Sequence, residues 1–144
     1  MRILSWHSGF VAIRARVLCV LMVGLAGCYS GISDERLRVV GVDSVRAWLA
    51  DEDRVVMLVD VRSAGEFAAG HLPGAVNKPL PSLQRFDRSL EGADVVVVYG
   101  SGWEDDRVPA AAKRLMAYEI DDVYDYRGGV ERWVETGGAL EGGE

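Results

Sequence analysis

The sequence predicts a single α/β domain built around a parallel β-sheet. Short runs of β-branched and aromatic residues alternate with amphipathic stretches, an order typical of strands joined by crossover helices. The runs at residues 55–59 and 95–99 are apolar or aromatic without interruption, which is expected of central strands covered on both faces. The chain has 144 residues, too few for two such domains once an N-terminal segment of 27 residues is set aside.

The first half of the domain is divided by glycine, proline and helix-capping residues. Asp43 or Ser44 is expected to cap the first helix, and Arg62 or Ser63 leads into the second. Residues 70–74 contain two glycines and a proline, and predict a turn. These signals predict a weak strand at residues 37–40, a helix at 42–50, a strand at 55–59, a helix at 64–69 and a strand at 75–77.

Prolines open both long helices of the second half. Pro79 and Pro81 begin a polar stretch, and Pro109 lies in the first turn of the next helix, where its missing N–H group breaks no hydrogen bond. Gly128 and Gly129 predict a turn before the last helix. We therefore predict a helix at residues 79–90, a strand at 95–99, a helix at 108–118, a strand at 123–126, a helix at 130–136 and a loose glycine-rich tail at 137–144.

The first 27 residues resemble the signal segment of a bacterial lipoprotein. Three arginines and no acidic residue accompany an apolar stretch at residues 17–26 that is too short to cross a bilayer as a helix. The segment closes with Leu25-Ala26-Gly27-Cys28, which is similar to a lipobox. The resemblance implies cleavage before Cys28 and its acylation, leaving a tether at residues 28–36, a domain at 37–140 and a tail at 141–144. An ordinary secretory signal and a buried helix are the alternatives.

Acylation of Cys28 would hold the domain at a membrane, facing the periplasm, because two or more acyl chains give stable anchoring. Tyr29 and Ser30 follow where a retention signal would place aspartate, so the outer membrane is expected in preference to the inner. The chain has a net charge of −6, and loss of the three signal arginines leaves −9. Such a surface repels nucleic acid and anionic headgroups. A protein partner at the membrane is therefore expected.

Several separated motifs resemble the rhodanese-like domain family. They are Asp60-Val61-Arg62, Glu66-Phe67, the run from Gly70 to Ala75 and the run from Arg127 to Trp133. The resemblance spans about residues 36–140 and implies a five-stranded parallel sheet flanked by helices on both faces. It also implies that Asp60, Arg62, Glu66, His71 and Arg127 fix the loops around the site. Asp60 ends a central strand, where Arg62 or Arg127 is expected to pair with it.

The chain departs from this family at the reacting residue. The resemblance implies a sulfurtransferase fold that carries sulfur as a cysteine persulfide in the loop after the fourth strand, and Gly100 stands at that position. The only cysteines, Cys19 and Cys28, lie in or at the end of the signal. We therefore expect no sulfurtransferase activity of its own. The related phosphatases need a Cys-x5-Arg loop, whose two end positions are held here by Gly100 and Asp106.

The rest of that loop is acidic. Backbone N–H groups of Gly100-Ser101-Gly102 are expected to form an anion cradle, which the carboxylates of Glu104, Asp105 and Asp106 would fill. We expect these acids to cap the next helix in preference to binding a divalent cation, which needs about six or more oxygen ligands. His71 is the only histidine after the signal, so neither a metal cluster nor a Ser-His-Asp arrangement can form around it. It is interpreted as a turn residue.

Two loop residues remain as functional candidates. Ser101 has no histidine, lysine or cysteine beside it in the motif, which favours hydrogen bonding over catalysis. Trp103 is expected either to be an exposed anchor for a partner or to fold over the vacated pocket. The sequence therefore predicts a membrane-anchored binding or scaffolding module that uses no cofactor and no metal. The alternative is a sulfurtransferase-related enzyme that uses Ser101 or a partner's thiol.

Overall fold

A computed structural model describes residues 32–85 and 88–143 of the chain. The predicted signal, its cleavage site and the lipidation site at Cys28 lie outside these residues. Within the two described ranges, no helix combines the length and the apolar character needed to cross a bilayer.

Five strands form one parallel sheet. They are β1 (Arg38–Val39), β2 (Val56–Asp60), β3 (Val76–Asn77), β4 (Val95–Tyr99) and β5 (Val123–Tyr126), and they lie in the order β1-β5-β4-β2-β3. The register brings Asp60, Tyr99 and Tyr126 side by side at the carboxyl ends of the three central strands. The predicted α/β fold with a five-stranded parallel sheet is confirmed.

Helices cover both faces of the sheet and close two apolar cores. The α-helices are α1 (Val42–Leu49), α2 (Ala64–Ala69), α3 (Arg107–Ala117) and α4 (Gly129–Glu135), with 3-10 turns at Asp34–Arg36, Leu80–Ser82 and Arg88–Leu90. Strand β4 contributes Val96 and Val98 to the core under α3, and Val97 and Tyr99 to the core shared with α1 and α4. Its residues are therefore all buried, as an uninterrupted apolar run requires.

The prediction of a polar helix at residues 79–90 is wrong. The described part of this segment holds only the short 3-10 turns, and it inserts Leu83 and Leu90 into the core under α3. The backbone is extended again at Leu83, with φ −63 and ψ 120, so the turn that the prolines open is not continued into a regular ladder of helical hydrogen bonds.

The first helix begins before its expected cap. Helix α1 starts at Val42, and Gly41 occupies the N-cap position without a side-chain hydrogen bond. Neither Asp43 nor Ser44 is therefore the cap. Val42 and Val45 are buried against the sheet, so packing of the apolar face sets the start of this helix.

The expected loose tail is docked on the domain as far as residue 143. Glu141 and His71 exchange backbone hydrogen bonds of 2.9 Å, and Gly143 donates to the Ala68 carbonyl at 2.9 Å. Gly142 has φ +85, and a Cβ there would lie 2.9 Å from the same carbonyl oxygen. The glycines of the tail thus permit a close backbone contact that a residue with a side chain would obstruct.

Candidate functional site

The loop of residues 100–106 lies between β4 and α3, at the carboxyl end of the sheet. The start of α4 packs against it, because the N–H groups of Val130 and Glu131 donate to the carbonyls of Gly100 and Ser101 at 3.0 and 2.9 Å. Gly129 permits this contact, since it has φ +55 and a Cβ there would lie 2.5 Å from the Gly100 oxygen. Gly129 of the closing motif therefore helps to shape the loop.

Gly100, which the sequence predicts at the cysteine position, has no room for a side chain. A Cβ on this residue would contact the carboxylate of Asp105, whose Cγ would be 2.8 Å away, and Cγ2 of Val108 at 2.9 Å. Val108 is fully buried in the core under α3 and cannot move aside without disturbing it. Any side chain at residue 100 therefore requires Asp105 to move.

Asp105 fills the cradle with its own carboxylate. Its Oδ2 accepts the Ser101 N–H at 2.9 Å, and its Oδ1 accepts the Arg107 N–H at 3.2 Å. The Arg107 guanidinium adds bonds of 2.7 Å from Nε and 2.8 Å from Nη2. Burial raises the pKa of Asp105, but these hydrogen bonds outweigh burial and hold the pKa below its usual value. An ionised carboxylate thus accepts the N–H groups of Ser101 and Arg107 within the loop.

Arg107, which was not predicted as a site residue, ties the loop to α2. Its Nη1 and Nη2 donate to the Glu66 carboxylate at 3.0 and 3.1 Å. Glu66 is held in turn by a capping box with Ser63. The bonds from Arg107 hold the pKa of Glu66 far below its usual value, and those to Asp105 and Glu66 raise the pKa of Arg107. Its place directly after three acids is the sequence signal that could have identified it.

Two strand-end aspartates each pair with the arginine two residues later. Arg62 donates to the Asp60 carboxylate at 2.6 to 3.1 Å and to the Gly70 carbonyl at 2.7 Å. Arg127 donates to Asp125 at 3.0 Å. Asp60 therefore pairs with Arg62, and the alternative pairing with Arg127 is wrong. Both members of the Asp60–Arg62 pair are buried, so they position the turn at Gly70 and do not face the cavity.

His71 lies in a turn, where its ring is held by neighbouring groups. Nδ1 is 2.9 Å from the Phe67 carbonyl oxygen, and the two rings stack with centroids 3.7 Å apart. Nε2 lies 3.7 Å from the Glu141 carboxylate. Over the described ranges, no three His, Cys, Asp or Glu side chains are grouped so that they could hold a metal ion.

An open cavity of about 300 Å³ lies beside the loop. Its lining consists of Ser101, Gly102, Glu104, Asp105, Arg107 and Glu131. The Ser101 hydroxyl is 3.4 Å from Arg107 Nη2, a group that remains protonated and cannot act as a base. The Glu131 carboxylate lies against the loop backbone, because a Cβ on Gly102 would come within 2.6 Å of Glu131 Cδ.

The remaining loop side chains face solvent. Trp103 is 64% exposed and does not line the cavity, so the structure favours the exposed alternative over one in which the indole covers the pocket. Asp106 is the N-cap residue of α3 but makes no side-chain hydrogen bond there, and Glu104 is exposed. Of the three acids expected to cap the helix, only Asp105 bonds to its backbone.

This chain is similar in sequence to known proteins over most of the domain. A family model described as a rhodanese-like domain matches residues 42–136. The thiosulfate sulfurtransferase GlpE of Pseudomonas putida is 35% identical over 82 residues, which cover 56% of this chain and 71% of that protein. The uncharacterized protein YqhL of Bacillus subtilis is 31% identical over 80 residues, which cover 56% of this chain and 62% of YqhL. The match thus spans less than two thirds of the length of YqhL.

Solved structures agree with this similarity. A rhodanese-like domain protein from Staphylococcus aureus has a TM-score of 0.62 at 25% identity, covering 75% of this chain and 100% of that one. A human single-domain sulfurtransferase has a TM-score of 0.55 at 26% identity, covering 67% of this chain and 95% of that one. Both solved structures therefore share the fold over nearly all of their own length.

Proposed function

The chain belongs to the rhodanese-like domain family, and from that premise we propose a module without sulfurtransferase activity of its own, held at a membrane as a protein-binding domain. The fold is related to that of sulfurtransferases, so the open question is whether this chain transfers sulfur or only binds a partner. The observation that carries the proposal is the packing of the Asp105 carboxylate into the space where a side chain at Gly100 would begin.

The sequence supports the proposal through its lack of a nucleophile. A persulfide forms on a thiolate, and no cysteine follows Cys28 in the chain. Acylation of Cys28 would leave the mature protein without any thiol.

The charges of the cavity also oppose an anionic sulfur donor. Arg107, the cation in its lining, is already bonded to the carboxylates of Asp105 and Glu66. Glu104 and Glu131 add two further negative charges to the same lining. A doubly negative donor such as thiosulfate would therefore enter against repulsion.

This geometry does not favour either of the enzyme alternatives. A mechanism based on Ser101 needs a base, and the hydroxyl lies beside the protonated guanidinium of Arg107. Transfer to or from a partner's thiol would require an anionic persulfide to approach the ionised Asp105 carboxylate. A binding role needs neither.

A thiosulfate assay tests the proposed lack of activity. The mature lipidated protein should show no sulfur adduct by mass after incubation with thiosulfate, and thiocyanate production with cyanide should equal the buffer blank. Gly100→Cys combined with Asp105→Ala is the companion variant, because it supplies a thiol and removes the carboxylate that contacts its position. Turnover by the unmodified protein that is lost on Ser101→Ala would replace the proposal with a serine-dependent enzyme.

Membrane attachment is supported by the segment that ends at Cys28. We expect the protein to fractionate with membranes and to incorporate labelled palmitate, and Cys28→Ala to abolish both. Cys19→Ala is the matched control, since it removes the other cysteine and leaves the cleavage site intact. Normal maturation and membrane fractionation of Cys28→Ala would reject lipidation.

A further inference from the structure

The cavity beside the 100–106 loop is acidic although an arginine lines it. Arg107 donates to two carboxylates through Nε and both Nη groups, at distances of 2.7 to 3.1 Å, so its charge is neutralised within the wall. Glu104 and Glu131 come from two different segments and line the same space. In residues 32–85 and 88–143, neither of these two carboxylates has an ion-pair partner. The opening therefore presents uncompensated negative charge.

Trp103 adds an apolar contact in the same loop. It is 64% exposed, whereas Trp133 is 7% exposed and donates its indole N–H to the Ala139 carbonyl at 2.8 Å. Trp48 packs on the ring of Tyr124, with centroids 4.7 Å apart. Exposed tryptophans are disfavoured in water and are frequent anchors of protein interfaces, where arginine is a common partner for the face of the ring. The exposure of Trp103 thus points to a covering partner independently of the acidic lining.

The chemistry of the cavity selects among possible occupants. Anionic ligands are opposed by the unpaired carboxylates, and the described residues offer no grouping that could hold a metal ion. A volume of about 300 Å³ lies at the small end of the range for ligand sites and suits one extended side chain. The remaining match is an organic cation presented by a protein.

We propose that this cavity receives an arginine or lysine side chain of a partner protein, which pairs with Glu131 and Glu104 while the neighbouring surface of the partner covers Trp103. The inference rests on the proposed function, in which the loop binds and does not catalyse. It names the chemistry of the partner as a basic segment, complementary to a chain whose own net charge is −6.

A titration with a six-arginine peptide tests the inference. The full-length protein in zwitterionic micelles is followed by NMR through the amides of Ser101 and Gly102 and the indole N–H of Trp103. We expect saturable shifts at these groups, weakened by added salt. A six-glutamate peptide of the same length should leave them unchanged.

Matched variants distinguish binding of the peptide at this cavity from nonspecific attraction of a cationic peptide to an acidic protein. Glu131→Gln and Trp103→Ala should each weaken binding about fivefold, the upper range for a partly exposed contact. Asp53→Asn removes the same charge from a second acidic cavity, lined by Asp51, Asp53, Arg54, Asp94, Val95, Asp122 and Tyr124, which includes no tryptophan. It should weaken binding less than about twofold.

Three results would overturn the inference: no saturable shift in the 101–103 region, equal weakening by Asp53→Asn and Glu131→Gln, or shifts caused there by the six-glutamate peptide. The thiosulfate assay is run on the same samples. Turnover in that assay would reject the proposed inactivity, whereas a blank assay with a failed titration would reject only the basic partner.

Discussion

Replacing Gly100 by alanine is the smallest change that tests whether Asp105 occupies the space where a side chain at residue 100 would begin. The new Cβ would lie 2.8 Å from Asp105 Cγ and 2.9 Å from Val108 Cγ2. Because Val108 is fully buried and held by its neighbours, the carboxylate is the group that must withdraw. Gly100 has no positive φ, so backbone strain does not complicate the comparison.

The magnitude follows from the bonds that Asp105 would lose. Withdrawal leaves the Ser101 N–H without its acceptor at 2.9 Å. A fully buried unsatisfied donor costs about 1–3 kcal/mol, and this part-buried one should cost about 1 kcal/mol. Crowding an already packed site costs about 1–3 kcal/mol when it is not relieved. Since withdrawal relieves most of the crowding, we expect a loss of about 2 kcal/mol. For a domain of this size, that loss lowers the melting temperature by roughly 10 °C.

A double-mutant cycle assigns this loss to the named pair. Urea unfolding followed by circular dichroism is measured for Gly100→Ala, Asp105→Ala and the double variant. With Asp105 truncated, the alanine at residue 100 meets only Val108, and its cost should fall below about 1 kcal/mol. Gly65→Ala is the matched control: it lies in α2 with no atom within 4 Å of its new Cβ, so it should be neutral or slightly stabilising. An equal cost of Gly100→Ala in both backgrounds would refute the reasoning.

Two further predictions concern the core and the response to acid. Val97→Asp should unfold the domain, because an unpaired charge in the fully buried centre of β4 costs several kcal/mol, comparable to the whole free energy of unfolding. The control Ser101→Ala should have a normal melting curve. A native-like melting curve of Val97→Asp would contradict the burial of β4 in the core. Glu66 has a lowered pKa in the folded protein, so its bond to Arg107 stabilises above the unfolded pKa of about 4.3 and is lost as the pH falls below it. Glu66→Gln should therefore lower stability at pH 7 and flatten its decline in urea titrations between pH 5 and pH 2, and parallel declines would contradict the role of this pair.

Most of the fold could be predicted because its elements are encoded locally. Strand β4 is an uninterrupted apolar run, and α2 begins at a capping box that spans only four residues. The segment after Pro79 and the tail after Gly137 are different, because their conformations depend on distant contacts. The tail is fixed by backbone bonds between Glu141 and His71, which no local pattern of glycines reveals.

In the site, too, some features are encoded by neighbouring residues and others depend on residues that are distant in the sequence. An acidic loop that fills its own cradle could be expected from the run of three acids, but which acid does so could not. The hydrogen bonds from Arg107 hold Asp105 in place. Arg107 is oriented in turn by Glu66, a residue 41 positions away in the sequence. The exposure of Trp103 is likewise a tertiary property, since it depends on what packs beside the loop.

Gly100 and the aspartate five residues later are physically coupled. A cradle of N–H groups with neither a bound anion nor a thiolate leaves the Ser101 donor unsatisfied, and the Asp105 carboxylate supplies the missing acceptor. The same carboxylate excludes any side chain at residue 100 and would oppose the ionisation of a thiol placed beside it. We therefore expect Gly100→Cys alone to give at most weak sulfur transfer. Removing Asp105 as well would free Arg107 Nε for an anion, while the Nη groups stay bonded to Glu66.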